Sequence, residues 1–349
     1  MTTKTVLNRP VNVGLAGLGR FGKLHAAVIA NQPQARLAAI CDPVAGEVKS
    51  VGDRYSVVGR YTDFDQLLED DSLDCLFVVT PEQFHAEQVT KAIACGLPIF
   101  LEKPLATTAA EGETIAAAAE AADIFLQLGF VCRFDIQHAL LKREVDSGRF
   151  GELITMSVKR NCSRAWMDVY GDRAHSVYET VIHDFDLILW FTGSRAKSVY
   201  AVQRHISGHA FPDAVVALLQ MENGTVVTIE TSWLVPERAP ENTLTDNWFG
   251  TIDAGLTIVG SKQSAELRIL NSSLSIWTDE VTKHPEAGLW PELHGHIAGA
   301  LREEDAHFIE CVRTGTRSTV TSVADAVEGL RIAEAIIESA ESGREVRIR

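Results

Sequence analysis

The stretch "VNVGLAGLGRFG", residues 11–22, constrains this chain more than any other. An apolar run long enough for a strand ends in Gly17-x-Gly19-x-x-Gly22, with Arg20 and Phe21 between the last two glycines, and passes straight into an amphipathic segment, 22–31. In a strand–turn–helix the first glycine permits the tight turn. The second lets backbone N–H groups approach a pyrophosphate at the helix N-terminus, and the third lets the helix lie close. Alone the pattern is weak. Asp42 strengthens it, lying twenty residues past Gly22 at the tip of the next apolar run. A carboxylate there accepts hydrogen bonds from both hydroxyls of an adenosine ribose and repels a 2′-phosphate, so NAD is expected over NADP. The alternative is a glycine turn and a strand-end aspartate with no ligand.

The rest of the first third keeps the same grammar. Short apolar runs at 11–15, 37–41, 75–79, 98–101 and 124–130 read as strands buried on both faces, separated by helical patterns at 64–69, 84–95 and 109–122. That repetition predicts a doubly wound parallel sheet. Past residue 129 the period changes. A helix is expected over 137–147, followed by alternating runs at 153–159, 198–205, 215–222, 225–231, 256–259, 265–270 and 274–278, which predict a mainly antiparallel sheet with one covered face. Asn223-Gly224 is the strongest hairpin signal. Helices over 303–314 and 323–341 precede a last strand at 344–348, and the stretches 163–176, 236–253 and 282–296 carry the least pattern. The expected division is a dinucleotide-binding domain over 1–131 and a substrate-binding and oligomerisation domain over 132–349.

Charge and cysteine content narrow the partners. A formal net charge of −15 disfavours nucleic acid and anionic membrane, leaving a small molecule. The N-terminal stretch has no signal-peptide pattern and no apolar run reaches membrane-spanning length, so a cytoplasmic protein is expected. The six cysteines show neither C-x-x-C nor paired spacing, which fits thiols in a reducing compartment and gives no zinc site. His294 and His296 lack a nearby third ligand, so no metal is expected.

Two further segments carry chemistry. "VVTPEQFHAEQ" puts Thr80 and Pro81 at a carboxyl strand end, where open α/β sheets bind ligands, with His85 in the following helix. Thr80 can equally be an N-cap with Pro81 at the first helical position, and His85 a surface histidine. "FLEKPLATT" ends a strand in Glu102-Lys103-Pro104, and Pro104 biases Lys103 toward extended backbone and admits a cis bond.

These motifs, in order with "SGRFGEL" (147–153) and "ETVIHDFDLILWFTG" (179–193), resemble the Gfo/Idh/MocA oxidoreductases, named for glucose-fructose oxidoreductase and inositol dehydrogenase. The resemblance covers nearly the whole chain. It implies an N-terminal Rossmann domain, a C-terminal domain with an open, mainly antiparallel sheet, a substrate cleft between them, and a homodimer or homotetramer formed through the sheet. It also implies hydride transfer between nicotinamide and a secondary hydroxyl of a sugar, an inositol-like polyol or a sugar acid. Such chemistry needs the hydroxyl proton removed as hydride leaves the same carbon. Lys103 can accept it when desolvation and nearby positive charge favour the neutral amine. Glu102 is expected to orient Lys103 or touch the cofactor.

On one helix Glu179 and His183, four apart, would share a face, and the matching family helix presents Asp and His to substrate. Glu179 departs from the usual Asp. His183 is the candidate acid/base or proton relay, the alternative being a packed histidine; Asp184 and Asp186 read as structural. "KRNCSRAWMDVYGDRAH" offers Arg160, Arg164, Trp166, Tyr170, Arg173 and His175, arginines to clamp anions and aromatics to stack on sugar faces, or else an oligomer contact. Arg133, Arg160, Arg164, Trp166 and Tyr170 complete the expected substrate set with Lys103, Glu179 and His183. Two other functions use the same residues: a glycosidase that oxidises and re-reduces its substrate with no net NADH, and a non-catalytic NAD-binding sensor or scaffold.

Overall fold

The computed structural model describes residues 6–242, 250–270, 274–280 and 282–349. The chain falls into two units, Met1–Phe134 with Glu292–Val327 and Asp135–Pro291 with Glu328–Arg349. This differs from a single division at 131/132, because a late segment returns to the first unit. The physical reason lies in the apolar face of one late helix, whose Phe308, Ile309 and Cys311 belong to the first unit's core.

In the first unit, β1 (Val11–Ala16), α1 (Arg20–Ala30), β2 (Ala35–Cys41), α2 (Ala45–Tyr55), β3 (Gly59–Tyr61), α3 (Phe64–Leu68), β4 (Cys75–Val78), α4 (His85–Ala94), β5 (Ile99–Glu102), α5 (Ala109–Ala121) and β6 (Leu126–Gly129) alternate. The six strands form a parallel sheet in the order 3-2-1-4-5-6, a doubly wound Rossmann order whose reversal falls between β1 and β4. β4 and β5 are buried at every residue, which is why 75–78 and 99–101 read as unbroken apolar runs, Glu102 being the one charged residue. α2 and β3 are not among the expected elements. α2 carries Gly46 and Gly52, which lower helix propensity, and buries only Val48, Val51 and Gly52, while β3 is an edge strand of three residues, too short to show a period.

The second unit holds α6 (Ile136–Asp146), β7 (Leu153–Ser163), α7 (Ala165–Tyr170), α8 (Ser176–Glu179), α9 (Ile182–Thr192), β8 (Ala196–Arg204), β9 (Ala214–Met221), β10 (Val226–Val235), β11 (Ile252–Gly260) and β12 (Ser264–Arg268). Along the chain there follow the hairpin β13 (Ile276–Trp277) with β14 (Thr282–Lys283), then in the first unit the hairpin β15 (Glu292–Leu293) with β16 (His296–Ile297) and α10 (Ala300–Thr314), and last α11 (Val323–Ser342), which starts in the first unit and ends in the second, and β17 (Val346–Arg347). The strand expected over 274–278 shrinks to two residues, and part of the patternless run 236–253, residues 243–249, lies outside the described residues. The second sheet runs β12-β11-β7-β10-β9-β8-β17, antiparallel except where β10 pairs parallel with β7. β9 alternates strictly between buried and open positions, as its period-two sequence requires. The β9–β10 turn uses Asn223 and Gly224 as expected: Gly224 takes φ +91°, and Thr225 N–H donates to Asn223 Oδ1 at 3.1 Å.

The helix expected through 179–193 is broken. Glu179 ends α8 and His183 lies in the first turn of α9, so the four-residue spacing does not sit on one continuous helix. Thr180 Oγ1 donates to Ser176 O at 2.7 Å, and Val181 N–H reaches the same carbonyl at 3.1 Å, a wide turn that opens the ladder at two β-branched residues.

Two arginines expected at substrate are held in the interior. Arg133 donates to Val320 O at 2.7 Å and Asp325 Oδ2 at 2.9 Å. Arg160 grips Asp184 through Nε at 2.6 Å and Nη2 at 3.0 Å, tying β7 to α9, with burial pushing the Asp184 pKa up against the pull of the guanidinium. Removing one partner of such a pair strands the other charge. R160M should lower stability by about 3–5 kcal/mol in chemical denaturation, and R160M/D184L should recover most of it. An unchanged midpoint in R160M would show that the pair does not hold α9.

Candidate functional site

The ligand-facing geometry of the first unit is written in its glycines. Gly17 sits at φ +92°, and a Cβ there would lie 2.3 Å from Val79 O. A Cβ on Gly22 would lie 2.0 Å from Gly17 O, so only glycine lets α1 start so close to the turn. Gly19 differs: nothing lies within 4 Å of the position its Cβ would take, and no side chain caps α1 there. That opening at a helix N-terminus has the room and the donors a pyrophosphate needs. Arg20 and Phe21 form the first turn of α1.

Asp42 follows β2 and is fixed by the loops beside it. Its Oδ2 accepts from Leu18 N–H at 2.8 Å and its Oδ1 from Val44 N–H at 2.9 Å. Each carboxylate oxygen retains a lone pair, so the group is aimed and can still accept from ribose hydroxyls. The residues present therefore fit a dinucleotide.

Thr80 does not cap the next helix. Its hydroxyl donates to Gln88 Oε1 at 2.5 Å, and Pro81 precedes the short 3-10 turn Glu82–Phe84 with no side-chain cap. His85 is neither a surface residue nor open to a ligand: it is fully buried, with Nδ1 2.7 Å from Pro104 O and Nε2 2.8 Å from Thr80 O. It joins the loops that follow β4 and β5. Burial holds its pKa below the ordinary value against these two carbonyls, and a neutral ring donates to only one of them.

Glu102 ends β5 almost wholly buried, and its Oε2 accepts from Lys103 N–H at 3.1 Å. Lys103 is half-buried, and the Lys103–Pro104 peptide is cis. Because β5 neighbours β4, and β4 neighbours β1, Lys103, Thr80 and the Gly17 turn follow three adjacent parallel strands at their carboxyl ends. His25 and Asp305, buried beneath Glu102, carried no expectation; the available signal was a histidine on the apolar side of α1.

In the second unit, Glu179 and His183 are both half-buried. Arg173 approaches Glu179 Oε2 at 4.0 Å while its guanidinium lies 4.9 Å from the Tyr170 ring centroid. Tyr170 leans in turn on Trp166 and Trp233, with centroids 5.6 and 6.1 Å away. Trp166 is buried in the cluster with Met167 and Trp233, so it backs Tyr170 rather than offering a stacking face. Arg164 is exposed. His175 caps α8 by accepting from Val177 N–H at 3.1 Å; burial, with the charge of His205, depresses its pKa to about 4 and keeps that nitrogen an acceptor. In the first unit His294 and Gly295, both at positive φ, form the two-residue turn of the β15–β16 hairpin. No helix among the described residues is long and apolar enough to cross a membrane.

Comparison with known proteins agrees with this geometry. Residues 11–130 match the GFO_IDH_MocA oxidoreductase family with its NAD-binding Rossmann fold, and residues 138–266 match the GFO/IDH/MocA C-terminal domain. The NAD(+)-dependent scyllo-inositol 2-dehydrogenase of Bacillus subtilis is 26% identical over 349 residues, covering 98% of this chain and 97% of that protein. The inositol 2-dehydrogenase of Corynebacterium glutamicum strain R is 27% identical over 64% of this chain and 67% of its own. Among solved structures, scyllo-inositol dehydrogenase from Lactobacillus casei with bound NAD(H) and scyllo-inositol superposes with a TM-score of 0.84 at 23% identity, over 97% of this chain and 99% of that one. The two family matches follow one another along most of the sequence, on a Rossmann order whose glycine turn and Asp42 fit the cofactor, and the chain therefore belongs to the GFO/IDH/MocA family as an NAD-dependent oxidoreductase.

Proposed function

We propose that this enzyme oxidises a secondary hydroxyl of an inositol-like polyol, with Lys103 as the proton acceptor. The observation that carries the reading is the place of Lys103, which follows β5 at the carboxyl edge of the sheet, one strand beyond the β1/β4 reversal where open α/β sheets bind dinucleotide. NAD, when bound, supplies the hydride acceptor. Lys103 Nζ takes the hydroxyl proton as the C–H electron pair departs with the hydride, leaving a ketone. Glu179 and His183 bind the polyol hydroxyls, and His183 passes the proton onward. Arg164 and Tyr170 stay in the substrate set. Arg133, Arg160 and Trp166 are buried, and this reading leaves them out of the set. The relatives described above are dehydrogenases, which supports net oxidation over a glycosidase or a silent sensor.

The second sheet supports an oligomer. On its outer face Tyr200, Val202, Val216 and Leu218 lie in register on β8 and β9 and are each 44–49% exposed, an apolar stripe suited to a second copy. All six cysteines, each a described residue, are thiols, as suits a cytoplasmic protein.

Three measurements test this. With NAD and a panel of inositols, wild-type enzyme should release stoichiometric NADH, and K103A should lower kcat by about a thousandfold while NAD still binds. Full turnover in K103A would remove Lys103 from the chemistry. D42N should weaken NAD by about tenfold and narrow the preference over NADP, read by cofactor titration. In light scattering, V216D/L218D should give a smaller species than wild type; identical masses would rule out that sheet face.

A further inference from the structure

Three ionisable side chains far apart in sequence meet in the interior of the first unit: His25 in α1, Glu102 at the end of β5 and Asp305 in α10. His25 and Asp305 expose nothing, and Glu102 exposes 6%. His25 Nδ1 lies 2.9 Å from Asp305 Oδ1 and 3.1 Å from Oδ2, and Nε2 lies 3.2 Å from Glu102 Oε1. A carboxylate only accepts, so an imidazole facing one from each nitrogen carries both protons. The rings of Phe21, Phe77 and Phe100 enclose it edge-on, with centroids 5.4, 5.8 and 5.3 Å away.

Glu102 connects this cluster to the strand tip. One oxygen meets His25, and the other accepts from Lys103 N–H at 3.1 Å. The neighbouring strand makes room for it: Gly129 pairs with Glu102, and a Cβ there would fall 2.6 Å from Glu102 Oε1. We propose that His25 and Asp305 are positioning residues for the oxidoreductase site, the imidazolium fixing Glu102 from below and Glu102 fixing the backbone that carries Lys103. This rests on the reading of Lys103 as proton acceptor.

A space that merely needed filling is served at least as well by packed apolar side chains, because buried ion pairs seldom add stability over them. Here the ion pairs end at the strand tip that bears the reactive lysine. Burial opposes the charge on His25, but Asp305 and Glu102 outweigh it and raise its pKa to about 10, so the ring stays an imidazolium across the working range. Burial also raises the Asp305 pKa, against the pull of His25. Asp305 and Glu102 are the carboxylates to which the rise is traced.

The test compares D305N, which preserves shape and an acceptor for Nδ1 while removing the charge, with wild type and K103A. D305N should fold by circular dichroism, bind NAD within about threefold of wild type, and lose at least about tenfold in kcat with a smaller change in KM for the polyol. In the K103A background D305N should cause no further loss, which a purely structural role would not produce. An inactive K103A beside a D305N with wild-type kcat and only a lower Tm overturns this proposal and leaves the Lys103 reading standing. A fully active K103A overturns both. Should D305N fail to fold, 15N-histidine NMR of wild-type enzyme at pH 8.5 decides: a His25 ring protonated on both nitrogens supports the proposal, and a neutral ring overturns it.

Discussion

No side chain fits between the turn after β1 and the first turn of α1. The carbonyl of Gly17 occupies the place where a Cβ on Gly22 would stand, and Gly17 itself is pressed against the carbonyl of Val79 after β4. This contact of backbone on backbone places the N-terminus of α1 at the reversal between β1 and β4, where Gly19 faces open space. Asp42 reinforces it from the next strand by accepting from Leu18, inside the same turn. The position of His25 follows as well, because it lies one turn further along α1, above the Phe77–Phe100 surface of β4 and β5. Moving the helix by the width of a methyl group would displace both the dinucleotide cradle and the contact with Glu102.

Buried charge is used in both units to fix elements rather than to add stability. Arg160 and Asp184 clamp β7 to α9, Arg133 holds Asp325 at the start of α11, and His25 bridges α10 to the tip of β5. The fully buried pairs give up hydration on both partners, so the net gain is small and the geometric constraint is the larger effect, while Asp325 stays partly exposed. That explains why arginines that suit a sugar-acid clamp by type, Arg133 and Arg160, are instead engaged with Asp325 and Asp184.

The parts of the fold that could be read in advance are those where local sequence and tertiary role agree. The glycine turn, the apolar strand 75–78 and the apolar run 99–101, the alternation of β9 and the Asn223-Gly224 turn are each specified within a few residues. α2 went unread although Val48 and Val51 share its buried face, because Gly46 and Gly52 argue against a helix, and β3 is too short to show a period. The break after Thr180 was hidden because it lies in the backbone hydrogen bonding, where Ser176 O accepts from the N–H groups of both Thr180 and Val181, and hydrophobic period does not record that. The candidate site divides in the same way: Gly17, Gly22, Asp42 and Lys103 stand where the motifs place them, whereas His85, Arg133, Arg160 and Trp166 are drawn into the interior.

By itself the sequence determined that this chain builds a dinucleotide-type strand–turn–helix, follows it with a period-two sheet, and ends a buried strand in Glu102-Lys103-Pro104. Those features rest on steric and solvation rules that act over one to four residues. Only the tertiary structure decided that α10 returns to the first unit, that His25 and Asp305 meet beneath Glu102, and which arginines are consumed by carboxylates. These outcomes depend on contacts between residues up to 280 positions apart, and a charged side chain's partner is chosen by what the fold brings within hydrogen-bond reach.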